Sequence, residues 1–199
     1  MGRKATQKPR KHNQAKTSQW LPVLFAALQE TGLEGLTMDD FARLLGKSKT
    51  TLYTYYQTKE ALLGDALRYK LSEVAAFLPL LGDPQQPYAK RYIQAVGAAV
   101  AAMNGIDARF LGDLQRFYPT LWAELEAFQT QAVEALAAFY RAGIEAGAFN
   151  TLSPELLSES DRYFFRLMTR QDWLQAQGMT VQAAFDAYLR MKFEGLRAS

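Results

Sequence analysis

The first strong pattern in the chain is a pair of short apolar stripes set close together. Met38, Phe41, Ala42 and Leu45 fall at i, i+3, i+4 and i+7, the stripe of a short amphipathic helix. Thr37 is placed to cap that helix, and Asp40 at its third position makes an Asp-for-Glu capping box. Gly46 then ends it, because glycine accepts the left-handed backbone that closes helices. Ser48 supplies another cap, and a second helix is predicted from Lys49 to about Tyr55. Two brief helices joined by a short turn containing glycine form a helix-turn-helix.

The second of these helices is polar for a core element. Between Lys47 and Tyr55 only Leu52 is plainly apolar, while Lys47, Lys49, Thr50, Thr51, Tyr53, Thr54 and Tyr55 carry a positive charge or a hydroxyl. Such side chains reach phosphates and base edges, so a DNA-reading surface fits. The pattern alone equally suits a solvated helix on an ordinary helical protein.

Helical spacing continues on both sides. Leu21, Leu24, Phe25 and Leu28 form a stripe ending near Gly32, with Pro22 tolerable if it lies in the first turn. After Thr58, a further cap, a long helix is predicted from Lys59 to about Leu80, carrying Leu63, Leu67, Leu71, Val74 and Leu78 on one side. Gly82-Asp83-Pro84 and Pro87 mark a boundary. Beyond it the pattern predicts helices at about 86–104, 107–118, 119–147, 154–176 and 180–197, the fourth opened by the start signal Ser153-Pro154-Glu155. No hairpin or short-period repeat interrupts them, so the fold class is all-α.

The run G-K-S-K-T-T-L-Y-T-Y-Y-Q-T-K-E-A-L, from Gly46 to Leu62, resembles the DNA-binding domain of the TetR (tetracycline-repressor) family. The likeness extends over roughly residues 18–64. It departs at Lys47, where the family usually has a small apolar residue, and at Tyr56, usually Phe. The resemblance implies a three-helix, helix-turn-helix head in which Thr37, Lys47, Ser48, Lys49, Thr50, Thr51, Tyr53, Thr54 and Tyr55 face DNA. It also implies that Lys59, at the positive end of the next helix, touches a backbone phosphate. The domains then read as a basic disordered arm (1–17), the head (18–64) and a helical effector-binding and dimerisation domain (65–199).

Charge supports a nucleic-acid partner. The net charge is +3, yet the first twenty residues hold Arg3, Lys4, Lys8, Arg10, Lys11 and Lys16 with no acid, which leaves the rest of the chain at −3. An arm of this kind beside a helix-turn-helix lies along phosphates or enters the minor groove, or else serves as a solubilising tail.

The C-terminal part is rich in aromatics. Most such residues at helical spacing form core, but the resemblance implies a cavity for a small-molecule effector between helices. The candidate lining is Tyr88, Tyr92, Phe110, Asp113, Leu114, Phe117, Trp122, Phe139 and Phe164. Arg109, Asp113 and Arg116 are the polar groups placed to orient a ligand, though Arg109 and Asp113 also suit an ordinary i, i+4 pair. The effector expected is apolar or amphipathic, with an acidic head if these arginines orient it. The small-residue stretch Gly97 to Ala102 reads as close packing only. Phe164, Phe165, Met168, Trp173, Phe185, Tyr188, Leu189, Met191 and Phe193 exceed what a terminal helical hairpin would bury by itself, which suggests a self-associating face. The family resemblance makes that a homodimer through residues 154–197, with two heads about one DNA turn apart and hence a palindromic operator.

Enzymatic chemistry finds little support. The chain has no cysteine and one histidine, His12, within the basic arm, so thiolate and Ser–His nucleophiles are excluded or stranded. No phosphate loop or acidic metal cluster is evident, and no cofactor is expected. No apolar run approaches the ~20 residues of a membrane span, which fits a cytoplasmic protein with no membrane partner. The function expected is a sequence-specific transcriptional regulator, a repressor released by its effector. Sequence-indifferent DNA compaction, and a dimeric ligand-binding protein without specific DNA binding, are the alternatives.

Overall fold

The computed structural model describes residues 17–196. The proposed arm falls outside the described residues except for Thr17. Among the described residues the chain is helical with no β-strand, as the patterning predicts.

Three helices form the head: α1 (Leu21–Thr31), α2 (Met38–Leu44) and α3 (Lys49–Tyr55). Pro22 sits in the first turn of α1, where its missing amide costs no helical bond. Gly32 ends α1 at φ +75°, a conformation that a Cβ would strain. The predicted capping box forms: Thr37 Oγ1 accepts from the Asp40 amide at 3.3 Å, and the Thr37 amide donates to Asp40 Oδ2 at 2.9 Å. The turn after α2 is a Schellman closure, with the Lys47 amide on Ala42 O at 2.9 Å and the Gly46 amide on Arg43 O at 3.1 Å. Lys47 is thus accommodated without loss of the turn. Leu24, Leu28, Phe41, Leu52 and Tyr56 are buried where the three helices meet.

α4 (Lys59–Val74) leaves the head, capped by Thr58 Oγ1 on the Ala61 amide at 3.1 Å. Leu62, Leu63, Ala66 and Leu67 bury its inner side, packed on α1. The helix expected to run to Leu80 stops earlier. A 3₁₀ turn (Ala75–Phe77) intervenes before α5 (Leu78–Leu81). Pro79 explains the break, since it cannot donate to the carbonyl four residues back and its ring crowds it.

The body contains α6 (Tyr88–Ala102), α7 (Ala108–Phe117), the long α8 (Pro119–Glu145), α9 (Pro154–Leu167), α10 (Gln171–Gln177) and α11 (Val181–Leu196). The predicted helix 154–176 is therefore two helices. Thr169 turns its hydroxyl back onto Phe165 O at 3.2 Å and Arg166 O at 3.0 Å, and Arg170 adopts extended backbone. The redirected α10 packs on α7.

The terminal face also differs from expectation. Phe165, Met168, Phe185, Tyr188 and Leu189 are buried inside the single chain, so their number is no argument for self-association. What remains outside is a smaller set: Leu152, Leu156, Tyr163 and Met191 are exposed. Behind it lies a saturated ionic cluster. Asp161, fully buried, pairs with Lys192 Nζ at 2.6 Å and accepts from Tyr188 OH and Tyr140 OH, each at 3.0 Å.

Candidate nucleic-acid interface and effector cavity

α3 is held by one deeply buried side chain, Leu52, and leaves the rest of its surface outward. Lys49, Thr50, Tyr53 and Thr54 are exposed along one stripe, and Tyr53 is 49 % exposed. Lys49 is tied to Asp39 Oδ2 of α2 at 3.0 Å, a bond that raises its pKa and keeps it protonated. Thr54 Oγ1 donates to Thr50 O at 2.9 Å, so its hydroxyl proton is already engaged within the helix. Lys47 is exposed beside this stripe, its Nζ 5.9 Å from the Trp20 ring centre.

The other expected DNA contacts have local duties. Thr37 and Ser48 cap α2 and α3, and Thr51 is half-buried with its hydroxyl 2.8 Å from Ser48 Oγ. Tyr55 turns inward, edge-on to Trp20 at 5.2 Å. Lys59 donates to Leu36 O at 3.0 Å and lies 5.9 Å from the Tyr118 ring. Its ammonium braces the start of α4 against the loop before α2.

Between the helices of the body lies a partly open cavity of about 90 Å³, walled mainly by α4, α6, α8 and α11, with Leu81 of α5, Leu111 of α7 and Phe165 of α9 completing it. Of the residues expected at a ligand site, Tyr92 lies on its wall and the rest do not. Tyr88, Phe139 and Phe149 pack with tilted and edge-on rings in an aromatic cluster. Phe164 stacks on Tyr188 at 4.4 Å. Leu114 is buried core, while Phe117 and Trp122 are half-buried away from the wall. The wall instead uses Leu71 and Val74 at the end of α4, and Ala95 and Ala99 on α6. Ala99 belongs to the small-residue stretch and Ala95 lies one turn before it, and their spacing of four was the signal: small side chains on one face leave room as readily as they fill it.

Phe110, Arg109 and Asp113 do something else. Phe110 packs edge-on against Phe25 of α1 at 5.2 Å. Arg109 Nη2 donates to Gln29 O at 3.1 Å and Glu30 O at 2.6 Å, at the negative end of α1. Asp113 Oδ2 accepts the Leu33 amide at 2.8 Å. α7 therefore grips the turn around Gly32 while its Leu111 lines the cavity. These residues latch head to body and orient no ligand in the cavity. Asp113→Ala would leave a donor at the buried Leu33 unpaired, with an expected loss of about 1–3 kcal/mol in denaturant unfolding. Faster hydrogen exchange of the Leu33 amide would locate the effect.

Residues 24–66 match the sequence profile described as bacterial regulatory proteins, tetR family. No curated protein sequence matches the chain. Solved structures do. A protein from Rhodococcus sp. assigned to the TetR family superposes with TM-score 0.69 at 15% identity, covering 90% of this chain and 97% of that one. The TetR-family regulator PfmR from Thermus thermophilus gives 0.64 at 20%, with 91% and 97% covered. The ketosteroid transcriptional regulator KstR2 of Mycobacterium tuberculosis gives 0.60 at 20%, with 92% and 96% covered. At such identities the likeness is one of fold. The matched profile covers the helices that build the reader, and the shared fold extends over the body. Residues 24–66 thus carry the helix-turn-helix segment of the tetR family, and the described residues share the fold of the TetR-family structures on which they superpose.

Proposed function

We propose that the protein acts as a homodimer on a two-fold symmetric operator and is released from it by a small apolar effector. The observation that carries this reading is the course of α4. It begins at Lys59 behind the reader helix and ends with Leu71 and Val74 in the cavity wall. Its sixteen residues span about 24 Å, so a ligand that pushes on one end moves the other. Release follows if the effector prefers the head spacing that misfits DNA, since a ligand shifts an equilibrium only by its differential affinity.

Lys49, Thr50, Tyr53 and Thr54 are the base- and phosphate-facing set, with Lys47 at the flank. Leu156, Tyr163 and Met191, exposed on α9 and α11, suit burial against a second copy. One of the neighbouring folds belongs to a ketosteroid regulator, an apolar ligand class in keeping with this cavity.

Selection of binding sites from a random duplex pool at physiological salt tests the reading, and a palindrome is expected. Binding without enrichment of any site would instead favour charge-driven association. Tyr53→Ala is expected to weaken the selected site by about 1–3 kcal/mol, the scale of a good base contact. Sedimentation should show an unchanged dimer. If the dimer dissociates, Tyr53 is serving the fold and not the DNA.

A further inference from the structure

The cavity carries no charged side chain on its wall, and its polar groups are already engaged. Tyr92 OH donates to Leu189 O at 3.4 Å, Thr169 Oγ1 to Phe165 O at 3.2 Å, and Gln129 Nε2 to Phe165 O at 3.4 Å. The buried Asp161–Lys192 pair is off the wall and saturated by its own partners. An ionic group placed in the cavity would lose its hydration and meet no countercharge.

Two of the wall residues are shared with a second, smaller space. Gln129 of α8 and Phe165 of α9 line both the cavity and a surface cleft bordered by Glu126, Thr130, Arg162 and Arg166. These two residues stand between the two spaces, and the bond from the Gln129 side-chain amide to the Phe165 backbone carbonyl is at the long end of the hydrogen-bond range. The cleft draws no single sign of charge, because Arg162 is held by Glu159 at 3.2 Å and Glu126 shares the cleft with Arg166.

We propose that the cavity takes an uncharged, apolar molecule, which enters through the α8–α9 cleft by displacing Gln129 and Phe165. This rests on the reading of the cavity as the effector site. At about 90 Å³ the cavity is smaller than the ~150 Å³ space that holds a benzene. A ring-sized occupant therefore has to widen it.

Phenylnaphthylamine and anilinonaphthalene sulfonate test the ligand class, since they share a ring system and differ by one anionic group. The full-length protein is expected to bind and brighten the neutral dye at least about 10-fold more tightly than the sulfonate. Comparable affinities overturn the uncharged class. Ala99→Leu, which narrows the cavity, is expected to abolish the brightening with the circular dichroism unchanged; persistence of the signal puts the dye elsewhere and overturns the assignment. For the route, the absence of native cysteine allows Thr130→Cys to be labelled alone with a bulky maleimide. Association of the neutral dye should slow at least about 10-fold, and the same label on Ile93→Cys, exposed on α6, should leave it unchanged. Equal rates overturn the α8–α9 route while leaving the ligand class standing. A neutral dye that fails to bind the unmodified protein overturns the cavity itself as an effector site, which is a separate failure.

Discussion

Asp161→Ala is expected to destabilise the protein by about 3–5 kcal/mol, the usual penalty for leaving one partner of a buried ion pair alone. Lys192 would keep its ammonium among Leu157 O at 2.5 Å and Ser160 Oγ at 3.2 Å, with no anion left. Tyr140 and Tyr188 would each lose an acceptor as well. Even in the native protein, burial holds the Asp161 carboxyl above and the Lys192 ammonium below their ordinary pKa values, despite their mutual attraction. Both directions say that the ionised pair is strained by desolvation.

The pH dependence follows from Lys192. Without Asp161 its folded pKa falls further, while its unfolded value stays near about 10.4. Between those two values the unfolded chain binds more protons, so stability rises with pH. The deficit of Asp161→Ala should therefore shrink from neutral pH towards pH ~10, read as a melting-temperature difference that narrows. A constant difference would mean that the alanine acts through packing alone. The same reasoning makes the double replacement Asp161→Leu with Lys192→Met far less damaging than either single loss, because no charge is stranded.

Leu52→Ala is the second large effect, about 2–5 kcal/mol, and it falls on the head. Leu52 is the only buried residue of α3 and is fully inaccessible, so its removal opens a void under the reader helix. α3 has seven residues, too few to persist without packing. Specific DNA affinity should collapse and amide exchange within residues 24–66 should quicken. Head and body share one contiguous core, but the void lies under α3, so protection in the body should fall much less than in the head. Uniform loss of protection would show that head and body unfold as one unit through the α7 latch.

The head was legible because its signals are local. Thr37, Asp40, Gly46, Ser48 and Thr58 each act on backbone groups within a few residues, and all perform the capping or turning that their spacing predicts. Pro79 is an equally local signal, masked by the apolar stripe that runs up to it. The break at Thr169 depends on a hydroxyl choosing a carbonyl over solvent, which composition does not disclose. Within the candidate reader, periodicity identified the polar helix but not which of its side chains are occupied. Lys49, Lys59 and Tyr55 found partners on other segments.

The sequence by itself determined the helical class, the helix-turn-helix and most helix ends, since these depend on interactions a few residues long. Only the tertiary structure decided the roles of residues whose partners lie far along the chain. Arg109 and Asp113, spaced as an ordinary helical pair, reach across to the α1 turn. Asp161 meets Lys192 only because α9 and α11 pack together. The aromatics expected around a ligand mostly filled the core, and alanines and leucines formed much of the cavity wall. The physical reason is that a cavity is defined by where side chains fail to meet, which follows from how helices cross and not from which residues are large.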